Sequence, residues 1–209
     1  MGKNIHEIDN LRRLLAAMIV RDRGFSDFYT ATGNSDRDLD FYSNCIFELD
    51  EILLELFKAN DQVEVLDVGC GTGRAAAELE QAYPGKVSAT GITLNRFNPV
   101  EGHAYLSPDK VHVGLASRVL SQMGIFHLIM AVGSLDVTGT LDTDGKAVLD
   151  HVAPKGYFIV VETGRSNISD EAVSLAEYAQ DKGFSYNSYP NIYNCYTHIF
   201  QNQQGVTDI

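Results

Sequence analysis

Residues 63–73 read V-E-V-L-D-V-G-C-G-T-G, and this stretch constrains the chain more than any other. An apolar run ends near an acidic residue, Asp67, and then meets glycines at alternate positions, Gly69, Gly71 and Gly73. The pattern predicts a buried strand (Val63 to Val68), an abrupt bend, and a helix starting at Arg74. Glycine has no Cβ, so the backbone can turn sharply and a ligand can approach it closely. The Asp67 carboxylate is expected at the carboxyl end of the strand, the edge at which open α/β sheets bind ligands.

The rest of the chain divides in two around this bend. Residues 1–60 read as helical. Ile5, Ile8, Leu11, Leu14, Leu15, Met18 and Ile19 recur at spacings of three and four, and Gly24 stops that helix. An aromatic loop (Phe25 to Gly33) precedes a second helix, which begins after Asn34-Ser35 or after Asp38 and runs to Lys58. Phe41, Cys45, Phe47, Ile52, Leu53 and Leu56 mark its apolar side. From residue 62, strands alternate with helices. The expected strands are Val63 to Val68, Lys86 to Ile92, Lys110 to Leu115, Phe126 to Val132 and Tyr157 to Glu162. Helices are expected at Arg74 to Tyr83, Thr143 to His151 and Asp170 to Asp181, with a brief helix or turn at Ser117 to Gln122 and a turn at Pro154-Lys155-Gly156. Two polar-aromatic strands close the chain, Phe184 to Tyr189 and Tyr193 to Gln201, with Pro190-Asn191 as the hairpin. The fold class is therefore α/β: a doubly wound, mostly parallel seven-stranded sheet over residues 61–209, with a helical amino-terminal lid over 1–60.

Composition narrows the partners. A net charge of −12, from 28 acidic and 16 basic residues, opposes a polyanion, so nucleic acid is not the expected ligand. No run of about 18 apolar residues offers a membrane span. The amino terminus has no continuous apolar signal core, and no export is expected. Cys45, Cys70 and Cys195 are odd in number and widely spaced, which suits a reducing cytoplasm. Cys70, inside the bend, reads as a small residue at a crowded turn or as a catalytic thiol.

The bend resembles motif I of the class I S-adenosylmethionine-dependent methyltransferases, strand-(D/E)-x-G-x-G-x-G. The order of elements over residues 62–201 is similar to that family's complete fold, in which a terminal hairpin sets the last strand antiparallel. The stretch Leu149 to Glu162 is similar to the family's approach to its fifth strand. The resemblance implies S-adenosylmethionine as cofactor, without a metal. It assigns Asp67, Gly69 and Gly71 to the cofactor's amino acid end; the alternative is that Asp67 caps the following helix. Family members usually place a carboxylate at the end of the second strand for the ribose, but Thr93 stands there. G-I-T-L is similar to a segment of cyclopropane fatty acid synthase relatives, which assigns Thr93 and Leu94 to the ribose; otherwise Thr93 is only a β-branched strand end. Leu115 replaces the usual adenine carboxylate, leaving the N–H of Ala116 or Ser117 for the ring.

The acceptor pocket is expected over the ends of strands four and five. Its candidate lining is Tyr29, Tyr42 and Ser134, with Asp136, Glu162 and His103 beside them. The alternatives are that the tyrosines are core and that the carboxylates and His103 face water. His127 reads as a surface residue at a strand start, and no catalytic base is named. Ser134-Leu135-Asp136-Val137 replaces the N/D-P-P-Y/F of enzymes that methylate exocyclic amino groups of DNA or glutamine. Two functions follow: a methyltransferase acting on a small molecule, or a non-catalytic protein of the same fold that binds cofactor weakly or serves as a partner subunit. A nicotinamide dehydrogenase needs G-x-G-x-x-G and a later acidic residue, and this chain has neither.

Overall fold

Strands buried on both faces carry nearly continuous apolar runs, and the central strands of this chain are of that kind. The computed structural model describes residues 36–94, 101–162, 167–191 and 195–205. Strands β1 (Val63–Val68), β2 (Val87–Thr93), β3 (Val111–Val113), β4 (Phe126–Val132), β5 (Val152–Glu162), β6 (Phe184–Pro190) and β7 (Tyr196–Asn202) form one sheet, in the order β3-β2-β1-β4-β5-β7-β6. Strands β1 to β6 run in one direction, and β7 inserts antiparallel between β5 and β6. The sheet is thus mixed, as the expected terminal hairpin requires. The strand order reverses between β1 and β4, and the carboxyl ends of those two strands open the crevice in which such sheets bind ligands.

Side chains alternate across the sheet and feed two cores. Val63, Val65, Leu128, Met130, Ile159 and Val161 point to one face, under α1 (Leu39–Cys45), α2 (Leu49–Ala59) and α3 (Arg74–Ala82). Leu66, Val68, Ile129, Ala131, Phe158 and Val160 point to the other. That face is covered by α4 (Ala116–Val119), α5 (Leu135–Thr138), α6 (Leu141–Leu149) and α7 (Asp170–Asp181). Tyr42, Cys45, Leu49 and Leu53 are fully buried, so residues 39–59 form a layer of the core. The expected first helix and the aromatic loop lie outside the described residues.

Two elements depart from the sequence reading, each for a visible reason. The single helix expected to run to Lys58 breaks at Ile46. The Cys45 carbonyl accepts from Thr197 Oγ1 at 2.7 Å and Asn191 Nδ2 at 3.5 Å, while the Leu49 N–H turns to Ile46 O at 3.1 Å. Side chains of the distant hairpin have replaced the helical partner. Phe47, in the break, is 53% exposed and stacks on Tyr189 with centroids 5.8 Å apart. The second departure is Pro154-Lys155-Gly156, expected as a turn before a strand. It lies inside β5 as an irregularity, across which the pairing moves from Phe126↔Val152 to Leu128↔Tyr157. A Cβ on Gly156 would stand 2.8 Å from the His127 carbonyl oxygen, so no larger residue fits this bulge unaltered.

His127 is not a free surface residue. Its ring is half-buried, and Nδ1 accepts the Glu64 N–H at 2.9 Å, just beyond the first β1–β4 pair. Burial pushes its pKa below the ordinary value, which suits an unprotonated acceptor nitrogen.

Candidate functional site

The bend after β1 is built as its glycines dictate. Gly69 and Gly71 have φ of 82° and 58°, in the left-handed region. The N–H groups of Gly69 and Cys70 both donate to Ile92 O, at 2.7 and 3.0 Å, which ties the bend to the end of β2. Gly73 N donates to Cys70 O at 2.8 Å. Among the described residues, the N–H groups of Gly71 and Thr72 have no acceptor. Ser134, the first residue past the β4 turn, lies directly on Gly69: an added Cβ there would come within 2.2 Å of Ser134 Cβ. Ser134 Oγ donates to Val68 O at 2.7 Å and holds the ends of β1 and β4 together.

Residues 36–39 dock on this bend. Thr72 Oγ1 donates to Asp36 Oδ1 at 2.9 Å, Ala75 N donates to Arg37 O at 3.1 Å, and Leu39 N donates to Glu78 Oε2 at 2.8 Å. Asp38 caps α1 by accepting from Phe41 N at 2.9 Å. Arg74 faces Asp36, Asp38 and Glu78 at 3.6, 3.3 and 2.7 Å. The Arg37 side chain then crosses the crevice. Its Nη1 donates to Val132 O and, at 3.4 Å, to Gly133 O; its Nη2 donates to Gly69 O at 3.1 Å. One guanidinium thus bridges the carbonyl ends of β1 and β4.

Asp67 sits behind it and is 0% exposed. Both of its oxygens accept from the Tyr42 hydroxyl, at 2.9 and 3.0 Å. Burial pushes the carboxyl up to about 6; the Arg37 charge and the Tyr42 hydrogen bond work the other way. Near neutral pH the carboxylate is ionised, and the crevice holds a buried negative charge. Tyr42 is itself fully buried, and burial, with Asp67 next, raises its hydroxyl well above the ordinary range. Cys70 is buried, and burial together with the Asp67 charge raises its thiol far above normal, which leaves it un-ionised and unreactive.

The remaining predicted residues line the same sheet edge, outward from the bend. Thr93 is buried at the end of β2, one residue past the Ile92 carbonyl that holds the turn, and Leu94 follows it half-buried. Gly114 N donates to Thr93 O at 2.9 Å, which brings in the end of β3. Ala116 is buried at the start of α4. The Ser117 N–H, one of two donors expected for an adenine ring, already donates to Asp144 Oδ1 of α6 at 3.0 Å. Tyr29 lies outside the described residues.

The acceptor-side candidates are placed differently from a solvent-facing rim. Asp136 and Glu162 are buried. Glu162 Oε2 accepts from His198 Nε2 at 2.9 Å and from Ser169 N, the cap of α7, at 3.3 Å. An ionised carboxylate only accepts, so Nε2 carries the imidazole proton and Nδ1 accepts from the Tyr186 hydroxyl at 3.0 Å. Burial raises the Glu162 carboxyl, but these hydrogen bonds outweigh it and leave it below the ordinary value. His103 is exposed, as the solvent-facing alternative had it, with Nδ1 3.2 Å from Asp36 Oδ2 and 3.4 Å from the Tyr105 hydroxyl.

Sequence reasoning missed Arg37, the centre of the arrangement. One signal was present: it is the single cation within S-D-R-D-L-D, a position where a basic residue goes against the local charge.

A zwitterionic amino acid group asks for donors to its carboxylate and acceptors for its ammonium. The bend offers the Gly71 and Thr72 N–H groups on one side. It offers the carbonyls of Gly69, Val132 and Gly133, with Asp67 behind them, on the other. Thr93, buried at the end of β2, carries a hydroxyl, a weaker acceptor for a diol than a carboxylate. The donor set fits the amino acid end of S-adenosylmethionine.

No family model matches the chain, and no curated protein matches it by sequence. Solved structures do match. The plantazolicin methyltransferase BpumL, crystallised with a pentazolic desmethylPZN analog and SAH, is 14% identical; the match covers 94% of this chain and 98% of that one, with a TM-score of 0.62. Magnesium protoporphyrin IX methyltransferase of Synechocystis PCC 6803, with bound SAM, is 13% identical, covering 91% and 97%, with a TM-score of 0.57. The TehB-like SAM-dependent methyltransferase of Corynebacterium glutamicum is 18% identical, covering 87% and 100%, with a TM-score of 0.53.

Proposed function

We propose, from a chain that has the class I methyltransferase fold, that this protein binds S-adenosylmethionine and transfers its methyl group to a small molecule. The observation that carries the reading is the convergence of N–H donors, sheet-end carbonyls and a buried carboxylate on the β1–β4 crevice. Solved proteins of the same fold support it, since they were crystallised with SAM or SAH. When bound, the cofactor supplies an electrophilic methyl group on a sulfonium.

The chain's own residues hold and orient. Gly71 and Thr72 donate to the carboxylate end. Gly69, Val132 and Gly133 accept from the ammonium, which Asp67 balances in charge. Thr93 and Leu94 hold the ribose, and Ala116 flanks the adenine. Ser134 lies at the mouth of the crevice, where an acceptor is kept in line and water is kept out. Glu162, held rigid by His198 and Ser169, fixes the end of β5 beside it. No described helix is long and apolar enough to cross a membrane. Cys45, Cys70 and Cys195 are buried, and a cytoplasmic location is part of this reading.

One observation favours the second reading, a non-catalytic protein that binds cofactor weakly. Asp67 and the three carbonyls are already engaged by Tyr42 and Arg37, and Thr93 replaces the ribose carboxylate. Calorimetric titration with S-adenosylhomocysteine separates the two. Saturable micromolar binding that is lost in Asp67→Ala supports the enzyme. Absence of heat and of thermal shift at millimolar ligand refutes it, and NAD in the same assay is expected to give no signal.

A further inference from the structure

Arg37 stands where a bound ammonium group would need its acceptors. Three backbone carbonyls from two strands, Gly69 O, Val132 O and Gly133 O, point to one guanidinium. Its Cζ lies 6.0 Å from the centre of the Tyr42 ring, the ring whose hydroxyl binds Asp67. Electrostatically this is a cation site: carbonyl dipoles in front, a buried carboxylate behind, an aromatic face at the side. The backbone of the occupant is fixed from outside. The Arg37 carbonyl accepts from Ala75 N, and its neighbours Asp36 and Asp38 hold Thr72 and Arg74. The guanidinium is therefore tethered at the mouth of the crevice, with only its side chain able to leave.

From this geometry we infer that Arg37 is an internal occupant of the ammonium subsite, and that a zwitterionic ligand binds only after the guanidinium withdraws. The inference rests on the function proposed above and adds its regulation. A tethered competitor acts at an effective concentration on the order of millimolar. Apparent ligand affinity falls by the fraction of molecules in which the side chain has moved out. A guanidinium suits this role better than a lysine ammonium, because its planar fork reaches several carbonyls at once. The opposite role, in which Arg37 grips the carboxylate of the ligand, predicts the opposite sign on substitution.

The test is calorimetric titration of S-adenosylhomocysteine into the wild type, Arg37→Met and Arg37→Ala, each checked for folding by circular dichroism. Both variants are expected to bind at least about tenfold more tightly, as removal of a competing closed state requires. Low-millimolar free guanidinium should then weaken ligand binding in the variants, whose carbonyls it can reoccupy, and leave the wild type unchanged. Equal or weaker binding in the variants overturns the inference. If neither neutral variant folds, Arg37→Lys takes their place, with a smaller gain expected and equal or weaker binding again decisive against it. If no protein binds the ligand, the proposed function fails, and the competition inferred here fails with it. Thermal shift with guanidinium alone still reads the cradle in that case: an upward shift confined to the variants retains the cation site, and none removes it.

Discussion

Replacing Tyr42 with phenylalanine removes one hydroxyl and leaves the ring. In the folded protein that hydroxyl donates to both oxygens of Asp67, which has no exposed surface. A hydrogen bond to an ionised buried group is worth about 1.5–3 kcal/mol, and one to a neutral group about 1 kcal/mol. Which value applies depends on pH. Burial lifts the Asp67 carboxyl from 3.8 to about 6 in the folded state. A folded pKa above the unfolded one means that the group favours the folded state fully below about pH 4, and that this contribution is lost as pH rises through 6. The difference is roughly 3 kcal/mol between the two limits. At pH 8 the carboxylate is charged in wild type and variant alike, so Tyr42→Phe should lose about 2–3 kcal/mol. At pH 5 Asp67 is largely protonated, and the loss should shrink to about 1 kcal/mol. Urea denaturation at both pH values reads the difference directly. Asp67→Asn is the control: in its background, Tyr42→Phe should cost the same at pH 5 and pH 8. An equal cost at both pH values in the wild-type background, or a loss under about 0.5 kcal/mol at pH 8, refutes the account of Asp67 as a buried, hydroxyl-held carboxylate.

Gly69→Ala meets two penalties, a positive φ of 82° and a Cβ placed 2.2 Å from Ser134 Cβ. We expect a loss of about 3 kcal/mol or more, with ligand binding abolished; Ser134→Gly in the same chain should recover only the steric part, as thermal denaturation will show. His198→Ala strands Glu162 in the core and should cost roughly 3–5 kcal/mol at neutral pH. Because the folded Glu162 carboxyl lies below its ordinary 4.5, its stabilisation is present above that pH and is lost as pH falls through the folded value. The variant's stability should therefore lose that acid dependence, and an unchanged profile between pH 3 and pH 6 would count against the pairing.

The sequence placed the sheet well because the physics there is local. β1 and β4 were read to their observed limits, Val63–Val68 and Phe126–Val132, and α7 to Asp170–Asp181, from apolar runs and caps alone. The bend after β1 was legible for the same reason: glycine takes the positive φ that it needs without steric cost. The candidate site was legible in part. Asp67, Gly69, Thr93 and Ser134 do lie together along the ends of β1, β2 and β4. Their partners were not legible, since nothing local in the chain joins Tyr42 to Asp67 or Arg37 to Val132.

What the chain determined by itself is the alternation of strand, glycine bend and helix, and with it the crevice between β1 and β4. Backbone geometry and the burial of alternate side chains are settled within a few residues. Only the tertiary structure decided what fills that crevice. It broke the helix expected to run to Lys58 at Ile46 with side chains of the carboxyl-terminal hairpin, buried Glu162 against His198, and laid Arg37 across three carbonyls. Polar groups must find partners once water is excluded, and which partners are within reach depends on which ends the topology brings side by side.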